Sequence, residues 1–199
     1  MRKLLVFAFS LCLLVLFAGC GNNEGQQKQA ANDVPLQGKT LVVYFSNTGH
    51  TKALAEKAAE ILHADTYEIQ PEIPYTAEDL DYNDESHRAT KEQRDDTFRP
   101  AIKSPKIDNF AQYKNIVLAY PIWWEQAPRI VDAFVESYDW SDKTIIPMST
   151  SEGSEIGTSA DYLKTLAKDK GTWKAGKNFG DGSVSKEDLA KWLAETTAK

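Results

Sequence analysis

Six consecutive residues, Ser46-Asn47-Thr48-Gly49-His50-Thr51, place three hydroxyls, a carboxamide, an imidazole and one glycine in a single bend of chain. Hydroxyls and backbone N–H groups donate hydrogen bonds, and a glycine lets a ligand approach the main chain with no Cβ in the way. Directly ahead of a helix, such a bend suits a phosphate monoester. The helix start offers unpaired N–H groups and the positive end of the macrodipole. Neither Lys nor Arg occurs among the six, so dipoles rather than a counter-ion would meet the negative charge. The same residues would also serve as an ordinary polar helix cap, and the bend alone does not decide between the two.

Two other stretches add to it. One is Tyr120-Pro121-Ile122-Trp123-Trp124-Glu125-Gln126-Ala127 and the other is Ser149-Thr150-Ser151-Glu152-Gly153-Ser154. Adjacent indoles in a loop carry apolar area that a flat conjugated ring would cover; packing beneath a neighbouring loop is the plainer fate of at least one of them.

All three stretches follow apolar runs with strand character, at 40–45, 115–120 and 143–148. These runs are nearly continuous rather than alternating, as expected for parallel strands buried on both faces. A weaker strand is expected at 65–70 and a last one within 172–179. Helical stripes lie between them: Leu54, Ala58, Ile61 and Leu62; Ile130, Phe134 and Tyr138 with Val131 and Val135; Leu163, Leu166 and Ala167; and Leu189, Trp192 and Leu193. Ser185 with Asp188 forms a capping pair ahead of the last. Alternation of this kind predicts an α/β fold, a doubly wound parallel sheet with right-handed crossovers. Ligands of such sheets sit beyond the carboxyl ends of the strands, where all three stretches would lie. Residues 71–114 read as an elaborated crossover, too poor in apolar residues for a core of its own, and the mixed charges from Asp84 to Asp96 read as an exposed helix with a solvated face.

The bend matches the flavodoxin pattern Ser/Thr-x-Thr-Gly-x-Thr at every constrained position. Tyr120 to Trp124 and Thr150-Ser151-Glu152-Gly153-Ser154-Glu155-Ile156-Gly157 resemble the two flavin-flanking loops of a short-chain flavodoxin-like family. The resemblance spans roughly Lys39 to Leu193. It implies strand order 2-1-3-4-5, the order for which flavodoxin itself is the standard example, and FMN as cofactor. Ser46, Asn47, Thr48, Gly49, His50 and Thr51 would hold the FMN phosphate. Pro121, Ile122, Trp123 and Trp124 would border one side of the isoalloxazine. Thr150, Ser151, Glu152 and Gly153 would border the other edge and supply backbone hydrogen bonds to it. Glu152 departs from the small residue expected there, and its charge would oppose electron uptake by the ring.

The N-terminus is of different material. Arg2 and Lys3 precede an apolar run from Leu4 to Ala18, the pattern of a signal peptide over residues 1–19. Leu16-Phe17-Ala18-Gly19-Cys20 resembles the lipobox of bacterial lipoproteins, which implies cleavage before Cys20 and lipidation of its thiol. Two or three acyl chains, at about 0.8 kcal/mol per buried methylene, hold a protein at a bilayer where one does not. The polar, Asn-, Gln- and Gly-rich stretch to Gly38 reads as a flexible tether, placing the folded domain at 39–199.

Several classes are excluded. With 199 residues, a net charge of −6, and Cys12 and Cys20 as its two cysteines, the chain is neither a nucleic-acid-gripping protein, a disulfide scaffold nor a Cys-rich zinc protein. Gly171 to Lys177 nearly spells an ATP phosphate loop, but Asn178 stands where a magnesium-binding hydroxyl belongs. His50, His63 and His87 lack metal-ligand spacing. The expectation is an extracytoplasmic, membrane-anchored FMN protein that passes electrons to an unidentified redox partner protein. An FMN-dependent oxidoreductase acting on a quinone or similar small acceptor is the alternative, and a flavin-free binding lipoprotein a second.

Overall fold

The computed structural model of the protein describes residues 32–198. The signal peptide expected over 1–19, Cys20 and the expected tether as far as residue 31 lie outside the described residues.

Strands β1 (Lys39–Tyr44), β2 (Asp65–Glu68), β3 (Tyr113–Pro121), β4 (Thr144–Thr150) and β5 (Thr172–Trp173) form a parallel sheet in the order β2-β1-β3-β4-β5, and β6 (Lys177–Asn178) also pairs with β4. Successive strand side chains point to opposite faces, and both faces are covered. Leu41, Val43, Ile116, Leu118, Tyr120 and Ile145 enter one core with α3 (Arg129–Glu136) and α4 (Ser159–Leu166). Val42, Tyr44, Val117, Ala119, Ile146 and Met148 enter the other with α1 (His50–Leu62) and α5 (Lys186–Thr197). The four helical stripes supply the covering faces, with Leu54, Ala58, Phe134, Leu163, Leu189 and Leu193 all buried. Ser185 caps α5 as expected, accepting from the Asp188 N–H at 3.0 Å and donating to its carboxylate at 2.8 Å.

The expected last strand is split in two. The neighbours of β5 and β6 accept from Thr172, Lys174 and Phe179 through the carbonyls of Lys143, Ile145 and Ser149. That alternation turns Pro147 toward the same edge, where it has no N–H to offer, and the pairing lapses opposite it. The chain passes so close there that a Cβ on Gly176 would lie 3.0 Å from Pro147 Cβ and 2.5 Å from Ile156 Cδ1.

Residues 71–114 are the elaborated crossover between β2 and β3. Its neck is closed by an antiparallel bridge between Pro71 and Ile102, with Glu72 N–H on the Ala101 carbonyl at 2.8 Å and Lys103 N–H on that of Gln70 at 2.9 Å. Within it, α2 (Arg88–Arg94) is not the solvated helix read from its charges: Ala89, Thr90, Glu92 and Gln93 are buried. Several of the charges pair internally. Glu92 accepts from Tyr75 Oη and from Arg88 Nε, and buried Arg129 of α3 donates to the Gln93 carbonyl at 2.7 Å, to Asp96 and to Asp132 at 3.1 Å. Burial pushes the Asp132 carboxyl up to about 6, against the pull of the Arg129 guanidinium.

The packed chain begins before Lys39. Val34 is buried among the α1 and α5 side chains, its N–H donates to the Ile61 carbonyl at 3.1 Å, and Leu36 packs beside it. The polar neighbours mask this short apolar pair in the sequence. A chain starting at Lys39 is therefore expected to lose about 1.5–3 kcal/mol of unfolding free energy relative to one starting at Asn32, the value of burying one such side chain. Urea denaturation measures it; coincident midpoints would remove Val34 from the core.

Candidate functional site

The sheet register decides which loops can meet. Pro121 pairs with Thr150, so β3 and β4 end level with one another, and Tyr44 pairs with Ala119, so β1 ends two residues short of them on the same side of the sheet. The order reverses between β1 and β3, and the loops leaving these strands open the crevice at which α/β sheets bind ligands. Hydrogen bonds tie the loops across the rim: Ile122 N–H to the Thr150 carbonyl at 2.9 Å, and Ser151 N–H to that of Gly180 at 2.8 Å.

A depression of about 200 Å³ lies there, lined by Thr48, His50, Pro121, Ile122, Trp123, Thr150, Ser151, Glu152, Gly180 and Asp181. Its volume falls below the ~300–1,000 Å³ of sites that engulf a whole ligand, so it takes part of one. A larger hollow of about 680 Å³ on the crossover insertion is walled by charged groups of both signs, among them Arg88 and Glu92, which already pair with each other. The rim depression is the better candidate on chemistry.

At its floor the bend from Ser46 to Thr51 turns into α1. Gly49 is in the left-handed region at φ +96°, a conformation that favours glycine, and a Cβ there would meet nothing within 4 Å. The helix has no side-chain cap and no acidic residue in its first turn, and its first backbone bond runs from Ala53 to Gly49. Its leading N–H groups thus face outward with the dipole uncompensated. Ser46 Oγ accepts from Gly49 N–H at 3.2 Å, whereas Asn47, Thr48 and His50 are exposed. His50 Nδ1 donates to the Asp181 carbonyl at 2.9 Å, and the residue lines the depression.

Thr51 behaves differently from its neighbours. It is buried, and its hydroxyl meets that of Thr150 at 2.7 Å, so it joins the bend to the β4 loop. In the third loop the Ser151 hydroxyl accepts from Gly153 N–H at 3.3 Å and Ser154 N–H at 2.9 Å. Of the amides expected to serve a ring, those of Ser151 and Gly153 are therefore occupied. Among the described residues, that of Glu152 has no internal acceptor.

The two indoles part company. Trp123 lines the depression and packs edge-on against Phe45 and Tyr75, at ring separations of 5.5 and 5.3 Å. Trp124 stands out at the tip of the loop, 39% exposed.

Gly180 and Asp181 are site residues that the sequence analysis missed. They follow β6, whose split from β5 hid its role as a rim strand; the signal was the turn run Gly180-Asp181-Gly182-Ser183. This fourth loop leans on the helix start: a Cβ on Gly182 would sit 2.8 Å from the His50 carbonyl. Hydrogen bonds from the Ser183 hydroxyl and N–H hold the Asp181 carboxyl below the usual carboxylate range, so the rim carries negative charge at Asp181.

The flavodoxin family profile matches residues 39–196. The chain belongs to the flavodoxin family. The strand order is that of the family's fold. A candidate flavoprotein from Bacteroides eggerthii is 40% identical over 82% of this chain and all of its own, with a TM-score of 0.76. Another, from Bacteroides uniformis, is 41% identical over 78% of this chain and 97% of its own, at 0.73. A Lactobacillus acidophilus flavoprotein in complex with FMN shares the fold at 21% identity and a TM-score of 0.55, over 78% of this chain and 99% of its own. No curated protein matches the chain.

The buried Thr51–Thr150 contact generates a measurable expectation. Thr51→Val or Thr150→Val alone orphans a buried hydroxyl and is expected to cost about 1–3 kcal/mol, while the double variant recovers most of it. Additive losses in a double-mutant cycle of denaturation would show that the two hydroxyls do not pair.

Proposed function

We propose that this flavodoxin-family chain is an FMN-binding flavoprotein that passes electrons, held at the extracytoplasmic face of a membrane through Cys20. One observation carries the cofactor reading: an uncapped helix start, entered through a glycine with open space before it, opens into the same depression as Trp123 and Ile122. The donor set fits a phosphate monoester, with outward N–H groups and the Thr48 hydroxyl at one end. It fits a conjugated ring at the other, where apolar Ile122 and Trp123 face the polar 150–152 stretch. The FMN complex of the Lactobacillus acidophilus flavoprotein, which shares the fold, supports the same choice.

FMN, when bound, supplies reversible uptake of electrons. The residues of this chain bind and orient it. The α1 dipole and the bend's donors would meet the phosphate without a Lys or Arg in the bend, Trp123 would exclude water from one side, and the Glu152 N–H would reach the polar edge. The carboxylates of Glu152 and Asp181 border the same hollow and oppose added negative charge there, which lowers the tendency to accept electrons.

Titration of the folded chain with FMN and with riboflavin tests the phosphate assignment. FMN is expected to bind at least tenfold more tightly, about 1.4 kcal/mol, and Thr48→Ala is expected to weaken FMN selectively. Equal affinity for both flavins would overturn it.

The anchoring reading rests on the lipobox-like run ending in Cys20. Cys20→Ser in the full chain is expected to move the protein from the membrane to the soluble fraction of a bacterial host; an unchanged distribution would sink that part.

A further inference from the structure

We infer that Gln93, carried by the crossover insertion, is a positioning residue that holds the Trp123 loop in the shape the flavin ring needs; the inference rests on the FMN reading above. Gln93 is 7% exposed and far in sequence from the rim, yet its carboxamide is spent entirely on that loop. Nε2 donates to the carbonyls of Trp123 and Ala127, both at 3.1 Å, and Oε1 accepts from the Arg129 N–H at 3.1 Å. One side chain thus grips the loop where it leaves β3 and where it enters α3. The grip is mutual, because the Arg129 guanidinium donates to the Gln93 carbonyl.

The loop needs holding. Between Trp123 and Gln126 it makes a tight turn closed by two backbone bonds, at 2.9 and 3.0 Å. Its central residues, Trp124 at φ +47° and Glu125 at φ +62°, are both left-handed, as a type I′ turn requires. That turn ordinarily uses Asn or Gly, and bulky residues persist there only where their surroundings over-determine the conformation. Gln93 provides that surrounding on the main chain. Tyr75, from the same insertion, provides it on the indole of Trp123. The insertion is therefore part of the ring-binding apparatus, although none of its residues lines the depression.

Gln93→Met keeps the side-chain length and removes all three bonds. It is expected to weaken FMN and riboflavin alike by about tenfold, leaving their ratio unchanged, and to raise the fluorescence of bound flavin as Trp123 loosens. Glu125→Gly, added in the Gln93→Met background, lets the turn form unaided and is expected to restore most of the affinity; a purely structural role for Gln93 predicts no such rescue. Arg94→Ala, the exposed neighbour in α2, should change nothing. Wild-type affinity in Gln93→Met, a loss confined to FMN, or failure of the glycine rescue would overturn the inference. Should the unaltered chain take up neither flavin, the FMN reading itself falls. The clamp is then read by amide hydrogen exchange: faster at 124–127 in Gln93→Met with β1 unchanged supports it, and equal exchange ends it.

Discussion

Parallel pairing of β1, β3 and β4, with both faces buried, is the constraint on which the rest of the molecule depends. Each of these strands sends alternate side chains into two different cores, so a slip of one residue would exchange every contact on both sides at once. Tyr44 opposite Ala119 and Pro121 opposite Thr150 are therefore held in register by the whole sheet. Because the strands run the same way and end within two residues of one another, the loops that leave them are delivered to one rim. Loops of polar and left-handed residues have little reason to associate by themselves; here the short backbone bonds from Ile122 and Ser151 need only close gaps that the strands have already narrowed.

The rim uses two kinds of polarity. At the α1 end it presents fixed dipoles, with N–H groups that cannot be titrated and a helix with no acidic residue in its first turn. Carboxylates border the same hollow, Asp181 on the loop that leans on α1 and Glu152 in the loop after β4. An acidic chain can still hold an anion under these conditions, since local donors act within a few ångströms while the net charge of −6 is spread over the surface and screened. The buried Thr51–Thr150 contact joins α1 to the end of β4, and Lys57 Nζ ties the fourth loop to the α1 side through the carbonyls of Gly182, at 3.4 Å, and Val184.

The insertion shows how a charged, proline-rich stretch is used without a core of its own. Pinched at Pro71 and Ile102, it lays Tyr75 against Trp123, buries Glu92 in a pair with Arg88, and supplies Asp96 to the buried Arg129 of α3. Such burial is costly unless the partners are in place, which makes the insertion dependent on α3 and α3 on the insertion. The Asp132 carboxyl, pushed up to about 6, marks where that pairing stays incomplete, with Oδ1 lacking a hydrogen-bond partner.

Periodicity and turn chemistry were local properties, and the sequence by itself determined what depends on them: the main strands, the helical faces that cover them, the Ser185 cap and the glycine-led bend before α1. The family resemblance carried the strand order and most of the rim. What depended on distant partners was illegible. Nothing in Asp84 to Asp96 shows that Gln93 and Glu92 turn inward, because Tyr75, which donates to Glu92, and the partners of Gln93 at Trp123, Ala127 and Arg129 all lie outside it. The break opposite Pro147 and the arrival of Asp181 at the rim arise from an edge pairing between segments some thirty residues apart. The separation of Trp123 from Trp124, identical neighbours in the chain, is decided by a left-handed turn that only the surrounding tertiary contacts make tolerable. Local composition sets which conformations each segment prefers; long-range hydrogen bonds and packing select among them, and they exist only once the sheet has brought the segments together.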